Sequence, residues 1–169
     1  MIRKQEGFTL IETMVAVVVL CIGLLSVAAL MSQMVRGSST SRYMSSAAML
    51  ASEKLEDLNR YASTDPTVAA SPVGSLGADT PGYFDLVQIS TDNGTMTETY
   101  NGTVVSHKAD GTVSNVAPPV TGATMTYDRR WLIETGGGLP AGVRRVTVLV
   151  IANDPAANRA QFQTSMVRP

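Results

Sequence analysis

The chain has one cysteine and one histidine among its 169 residues. A single thiol, Cys21, excludes a disulfide framework within the chain, and one Cys with one His excludes a Cys/His zinc site. Charge is scarce as well: 16% of residues are Asp, Glu, Lys or Arg, against roughly 25% in an ordinary soluble domain. The formal net charge is −1, without the basic excess of a nucleic-acid binder. Aromatics make up 5% although 44% of residues are hydrophobic, so the apolar content is aliphatic. No proline occurs between residues 1 and 65, so a helix there meets no strong breaker. No nucleophile–base pair, phosphate-binding loop or metal-ligand cluster stands out. The expectation is a non-enzymatic protein with no cofactor and no metal.

What is present is lopsided. Residues 14–31 read MVAVVVLCIGLLSVAALM and carry no charge. The apolar character reaches back to Phe8 and forward to Val35, a stretch of about 42 Å at the helical rise of about 1.5 Å per residue. A hydrocarbon core is about 30 Å thick, so 8–35 is read as a membrane span. Arg3 and Lys4 precede it and hold that end in the cytoplasm. A secretory signal peptide is the competing reading. The run is too long for one, and no small-residue cleavage site followed by a composition break ends it. Glu12 lies inside the apolar stretch, where an ionisable residue is a functional candidate by default.

The stretch Gly7-Phe8-Thr9-Leu10-Ile11-Glu12, behind a short basic leader and ahead of a long apolar helix, resembles the processing and N-methylation motif of type IV pilins and pseudopilins. The resemblance covers roughly the first 55 residues. It implies that Gly7 is the last leader residue, that prepilin peptidase cuts between Gly7 and Phe8, and that the same enzyme methylates the new amino terminus at Phe8. It implies that Glu12 recognises the amino terminus of a neighbouring subunit. The physics is consistent: a new α-amino group titrates near about 7.7–8.0, and a cation in apolar surroundings requires a nearby anion. Glycine at the cut lets a peptidase approach the backbone without a Cβ in the way.

Beyond the span, Met44, Ala48, Ala51, Leu55 and Leu58 recur at spacings of three or four, so one helix is expected over residues 8–61, amphipathic in its second half. That stripe is expected to cover the protein's own head, with a coiled coil as the competing use. Residues 62–82 are rich in Pro, Gly and small hydroxyl residues and read as a loop. From Tyr83 the period becomes 2. Asn93-Gly94, Asn101-Gly102 and Asp110-Gly111 signal hairpin turns. Strand 143–152 is apolar on both faces and is expected inside the sheet, with a last strand through Phe162, Thr164 and Met166. Arg129-Arg130 and Arg144-Arg145 are read as a solvated sheet edge, with a basic docking patch as the alternative. His107 has no visible partner, and Cys21 is a small packing residue. Asp92-Asn93-Gly94 and Asp110-Gly111 are turn dipeptides before they are Ca²⁺ ligands.

The resulting expectation is an α+β protein of the type IV pilin fold. A leader (1–7) precedes the span or filament-core half of a long helix (8–35), then its amphipathic half (36–61), a connecting loop (62–82) and an antiparallel β-sheet head (83–169) packed on that second half. Ile22-Gly23-Leu24-Leu25 and Leu50-Ala51-Ser52-Glu53-Lys54-Leu55 are similar to the PilV-type minor pilins. That resemblance implies a minor pilin that primes or enters a type IV pilus, with adhesion-related surface functions. An I-type minor pseudopilin of a type II secretion system is the alternative. The partners implied are prepilin peptidase/methyltransferase, other minor and major pilins, an inner-membrane assembly platform and membrane lipid before assembly. The location implied is the bacterial inner membrane, crossed once with the head in the periplasm, and then the pilus. Major pilins often carry a C-terminal disulfide and a proline in the span. This chain has neither, which departs from the pattern of a mechanically loaded subunit.

Overall fold

The computed structural model describes residues 9–115, 124–153 and 160–169. The expected leader 1–7, with Gly7, and the expected mature terminus Phe8 lie outside the described residues. The chain divides into two compact units, residues 1–38 and 39–169. Helix α1, Leu10–Arg60, gives its residues up to Ser38 to the first unit and the remainder to the second.

In the first unit every large apolar side chain from Leu10 to Val35 is exposed, Leu10 at 78%. Water would penalise this surface by roughly 25 cal/mol per Å², so these residues require an apolar environment or partner helices. Two of its hydroxyls are satisfied within the helix itself. Thr13 donates to the Leu10 carbonyl at 2.8 Å and Ser26 to the Ile22 carbonyl at 2.9 Å. That is what a helix in a medium without water demands.

The second unit is a single seven-stranded antiparallel sheet packed on α1 residues 39–60. Its strands are β1 (Phe84–Ser90), β2 (Met96–Tyr100), β3 (Thr103–His107), β4 (Val113–Ser114), β5 (Thr124–Thr135), β6 (Arg144–Ala152) and β7 (Gln161–Arg168). Their order is β4-β3-β2-β1-β5-β6-β7. The three expected turns all join strands. Asn101 and Gly102 sit at φ 48° and 78° between β2 and β3, the doubly positive backbone of a two-residue hairpin. In the β3–β4 turn, Asp110 accepts from the Thr112 amide at 2.8 Å, and this hydrogen bond holds its carboxyl below the usual range. The Asn93 side-chain carbonyl likewise accepts from the Thr95 amide at 2.9 Å. Both turn oxygens are thus engaged with backbone. Within the loop after α1, Asp65 caps a short 3-10 turn, Pro66–Val68.

The core lies between α1 and the sheet. Ala47, Leu50, Ala51 and Leu58 meet Val87, Tyr127, Trp131, Ile133, Val146, Val148 and Val150, all buried. Ala47 and Ala51, one turn apart, bring the helix close to the strands. Strand β6 is interior, as its apolar pattern requires. The expected stripe holds at Ala51, Leu55 and Leu58, which are buried or packed on the core, and is corrected at its start: Met44 is 36% exposed and Ala48 only partly covered, while Ala47 and Leu50 point inward. Lys54, one turn after Leu50, shares the inward face. Its stem and ammonium lie over the Trp131 ring, with Nζ 4.2 Å from the centroid, a contact that is charge-stabilised by the ring quadrupole.

The arginine pairs do not form a solvated edge, and that reading is corrected. Strands β5 and β6 are both interior. Arg129 is 2% exposed. Arg130 bonds Asp79 at 2.9 Å, and Arg144 donates to the Val68 carbonyl. Only Arg145 of the four is exposed, 3.8 Å from Glu134. The docking-patch alternative fails for the same reason, because the Arg129, Arg130 and Arg144 guanidinium groups bond within the head and leave Arg145 alone at the surface. Arg168 on β7 behaves alike. It donates to the carbonyls of Leu58 (2.7 Å) and Tyr61 (2.5 Å), satisfying acceptors that the end of α1 leaves without helical partners.

Candidate functional site

The first site is the start of α1. Thr9 precedes the helix, and Glu12 stands three residues later. The Glu12 carboxylate accepts from the Thr9 amide at 3.3 Å and from the Thr9 hydroxyl at 3.4 Å. This is one half of a capping box, in which an acid at the third helical position reaches back to the cap amide. The sequence signal for it, Thr-x-x-Glu ahead of an apolar run, was readable beside the motif and passed over. The local consequence is that an exposed carboxylate is held at the helix's positive end. It faces the first described residue of the chain. Around it, Ile11, Val15, Ala16, Val19 and Leu20 make an uncovered apolar face. Charge and apolar surface are thus presented together. Cys21 is exposed on the same segment.

The second is an ionic cluster where α1 meets the sheet, and sequence reasoning missed it. Asp85 on β1 is 1% exposed and takes two parallel bonds from Arg129 on β5, at 2.8 and 2.9 Å. Arg129 also bonds Glu98 on β2 at 2.6 Å and the Leu50 carbonyl of α1 at 3.3 Å. Lys54 reaches Asp85 at 3.2 Å. Burial by itself would lower the Arg129 pKa, but Asp85 and Glu98 outweigh it and hold it above its ordinary value. His107, expected to have no partner, lies 3.8 Å from Glu98. The cluster opens to solvent through a cleft of about 250 Å³ bordered by Glu53, Asp57, Glu98 and His107. Its chemistry is a clamp: one guanidinium joins two strands to the helix backbone. Among the described residues no group of three or more His, Cys, Asp or Glu is placed to hold a metal ion.

Glu53 borders this cleft, and its carboxyl is pushed up, first by burial and then by Glu98 and Asp57, against the pull of Arg129. A folded-state pKa above the ordinary value means that stability falls as pH rises through it. Glu53→Gln is therefore expected to raise the melting temperature at pH 7. The gain should fade as pH falls through the ordinary glutamate value of about 4.3. Melting curves of the two proteins at pH 7 and pH 4 check both the sign and its loss.

A long apolar N-terminal helix followed by an antiparallel sheet packed on its second part is the α+β fold of type IV pilins. Residues 2–28 match the family model described as the prokaryotic N-terminal methylation motif. No curated protein and no solved structure is significantly similar to the chain. The chain is therefore type IV pilin-like and carries the N-terminal signature of a pilin or pseudopilin precursor. The motif implies processing by prepilin peptidase and assembly with other pilin-like subunits. Helix α1 is long and apolar enough to cross a membrane, which fits a membrane-anchored protein.

Proposed function

We propose that the chain is a minor pilin of a type IV pilus. It is cut by prepilin peptidase between Gly7 and Phe8, methylated at Phe8, held in the bacterial inner membrane with its head in the periplasm, and then incorporated into the pilus or its priming complex. The observation that carries this reading is the N-terminal segment itself. A methylation motif over residues 2–28 runs into a helix whose large apolar side chains up to Val35 are all uncovered, with the Glu12 carboxylate exposed at its start. Before assembly lipid covers that surface; after assembly the neighbouring helices do. Its partners are then the peptidase, other minor and major pilins and the inner-membrane platform.

Two measurements test it. The first is a clean deletion, scored in parallel for surface filaments and for secreted enzymes. Loss of filaments with normal secretion supports the pilus. Loss of secretion with normal filaments replaces this reading with a minor pseudopilin of the I type. The second is Gly7→Leu. A branched side chain at the cut keeps the backbone from the peptidase, and a full-length precursor is expected, longer by seven residues than the wild-type product. A wild-type-sized product on a gel would contradict the assignment of the cut.

A further inference from the structure

The two ends of the sheet are unlike. At one end β4 is two residues long, Val113–Ser114, beside a turn that carries Lys108 and Asp110. At the other, β7 runs for eight residues, Gln161–Arg168. The direction of its backbone groups is set by one bond: the Ala152 amide donates to the Ala160 carbonyl at 2.8 Å. In an antiparallel ladder the bonded pairs then recur every second residue. Val150 with Phe162, Val148 with Thr164 and Val146 with Met166 are bonded pairs of this register. The amides and carbonyls of Gln161, Gln163, Ser165 and Val167 consequently point away from β6. Among the described residues no backbone group bonds to them.

Sheet edges are normally blunted by charge, proline or a bulge. Gln161–Val167 contains no charged residue and no proline, and its register against β6 is unbroken. The charge that follows, Arg168, is turned inward onto the end of α1. The side chains with outward backbone groups are exposed, whereas Phe162 and Met166 lie half-buried on the helix side, Phe162 at the margin of the core.

We infer that the β7 edge receives one extended strand from a different pilin-like subunit, a proposal that rests on the assembly reading above. Water can solvate these four outward residues, but the protein partner that pairs with all of them at a repeat of about 6.8 Å is extended backbone. The strand must be uncharged, with apolar residues meeting Phe162 and Met166 and small or amide residues meeting Gln163 and Ser165. A second copy of this chain does not fit. Two β7 edges pair antiparallel only by reversing the α1 residues 39–60 that lie on each sheet, and parallel only by setting those helices on opposite faces of the joined sheet, whereas subunits drawn from one membrane share one helix direction and pack their helices together. Among the described residues, a copy placed side by side in the same direction offers only the two-residue β4.

The test uses the full chain, expressed in its own cells, with two edge variants. In Ser165→Pro the lost amide is one that β6 does not use; Gln163→Lys adds an edge charge. Each variant is expected to enter sheared filaments at least tenfold less than wild type while its level in the membrane is unchanged. If Ser165→Pro fails to accumulate, Gln163→Lys carries the test. Backbone exchange gives an independent readout. The Gln163 and Ser165 amides should exchange quickly in detergent-purified protein and at least a hundredfold more slowly in filaments, while Thr164 and Met166 are slow in both. The N-terminal mass is read in the same samples. An unprocessed chain overturns the assembly reading and this partner with it. A processed chain whose edge variants assemble at wild-type levels, or whose Gln163 and Ser165 amides stay fast in filaments, overturns the strand alone.

Discussion

Arg129→Ala is expected to destabilise the head by about 3–5 kcal/mol, the cost of leaving a buried charge without its partner. Asp85 would stay buried with Lys54 alone, and Glu98 and the Leu50 carbonyl would each lose a donor. For a unit of this size the melting temperature should fall by about 10–20 °C, measured on the full chain in detergent. The compensating experiment separates a charge requirement from a volume requirement. Replacing a buried pair by apolar residues of similar volume is often close to neutral. Arg129→Met with Asp85→Leu should therefore recover most of the loss. If the double variant is no better than Arg129→Ala, the groups the pair leaves behind, Glu98, Lys54 and the Leu50 carbonyl, carry the cost, and the Arg129–Asp85 pairing does not.

This clamp marks where the sequence stopped being legible. The helix to Arg60, the three hairpin turns and the interior strand β6 follow from local patterns: no breaker, Asn-Gly or Asp-Gly between Thr- and Val-rich runs, and apolar residues on both faces. Arg129 does not, because its burial depends on register. Its parity was available, since it alternates with Tyr127, Trp131 and Ile133, all buried. What was missing is that β1 pairs with β5 and β2 with β1, which brings Asp85 and Glu98 to one guanidinium from positions far apart in the chain. Two adjacent arginines look solvated until those partners are known. The stripe on α1 slipped at Met44 and Ala48 for a related reason. Met44 and Leu55 carry apolar weight, but alanines permit close approach, so the helix turns Ala47 and Ala51 to the sheet and leaves Met44 half outside.

Glu12 poses a question that two substitutions resolve. Its carboxylate has a local use, closing a capping box on Thr9, and the use proposed for assembly, pairing with a neighbouring subunit's methylated amine. The two differ in what they require. A cap needs a side-chain acceptor, and glutamine serves at that position. An ion pair in apolar surroundings needs the negative charge, and losing one partner of a buried pair costs several kcal/mol. Loss of a helix-capping bond costs roughly 0.5–2 kcal/mol, too little to exclude a subunit held by a long apolar helix. Glu12→Gln should therefore be cut, methylated and inserted like the wild type, yet its share in sheared filaments should fall by about a hundredfold, the equivalent of some 2.7 kcal/mol at 1.36 kcal/mol per factor of ten. Glu12→Ala should fall equally and no further, since the charge is lost in both. Immunoblots of the filament and membrane fractions, with the N-terminal mass as a control for processing, read all three proteins. If Glu12→Gln assembles normally and only Glu12→Ala is impaired, the residue acts as a helix cap, and the recognition of a neighbouring amine lies elsewhere.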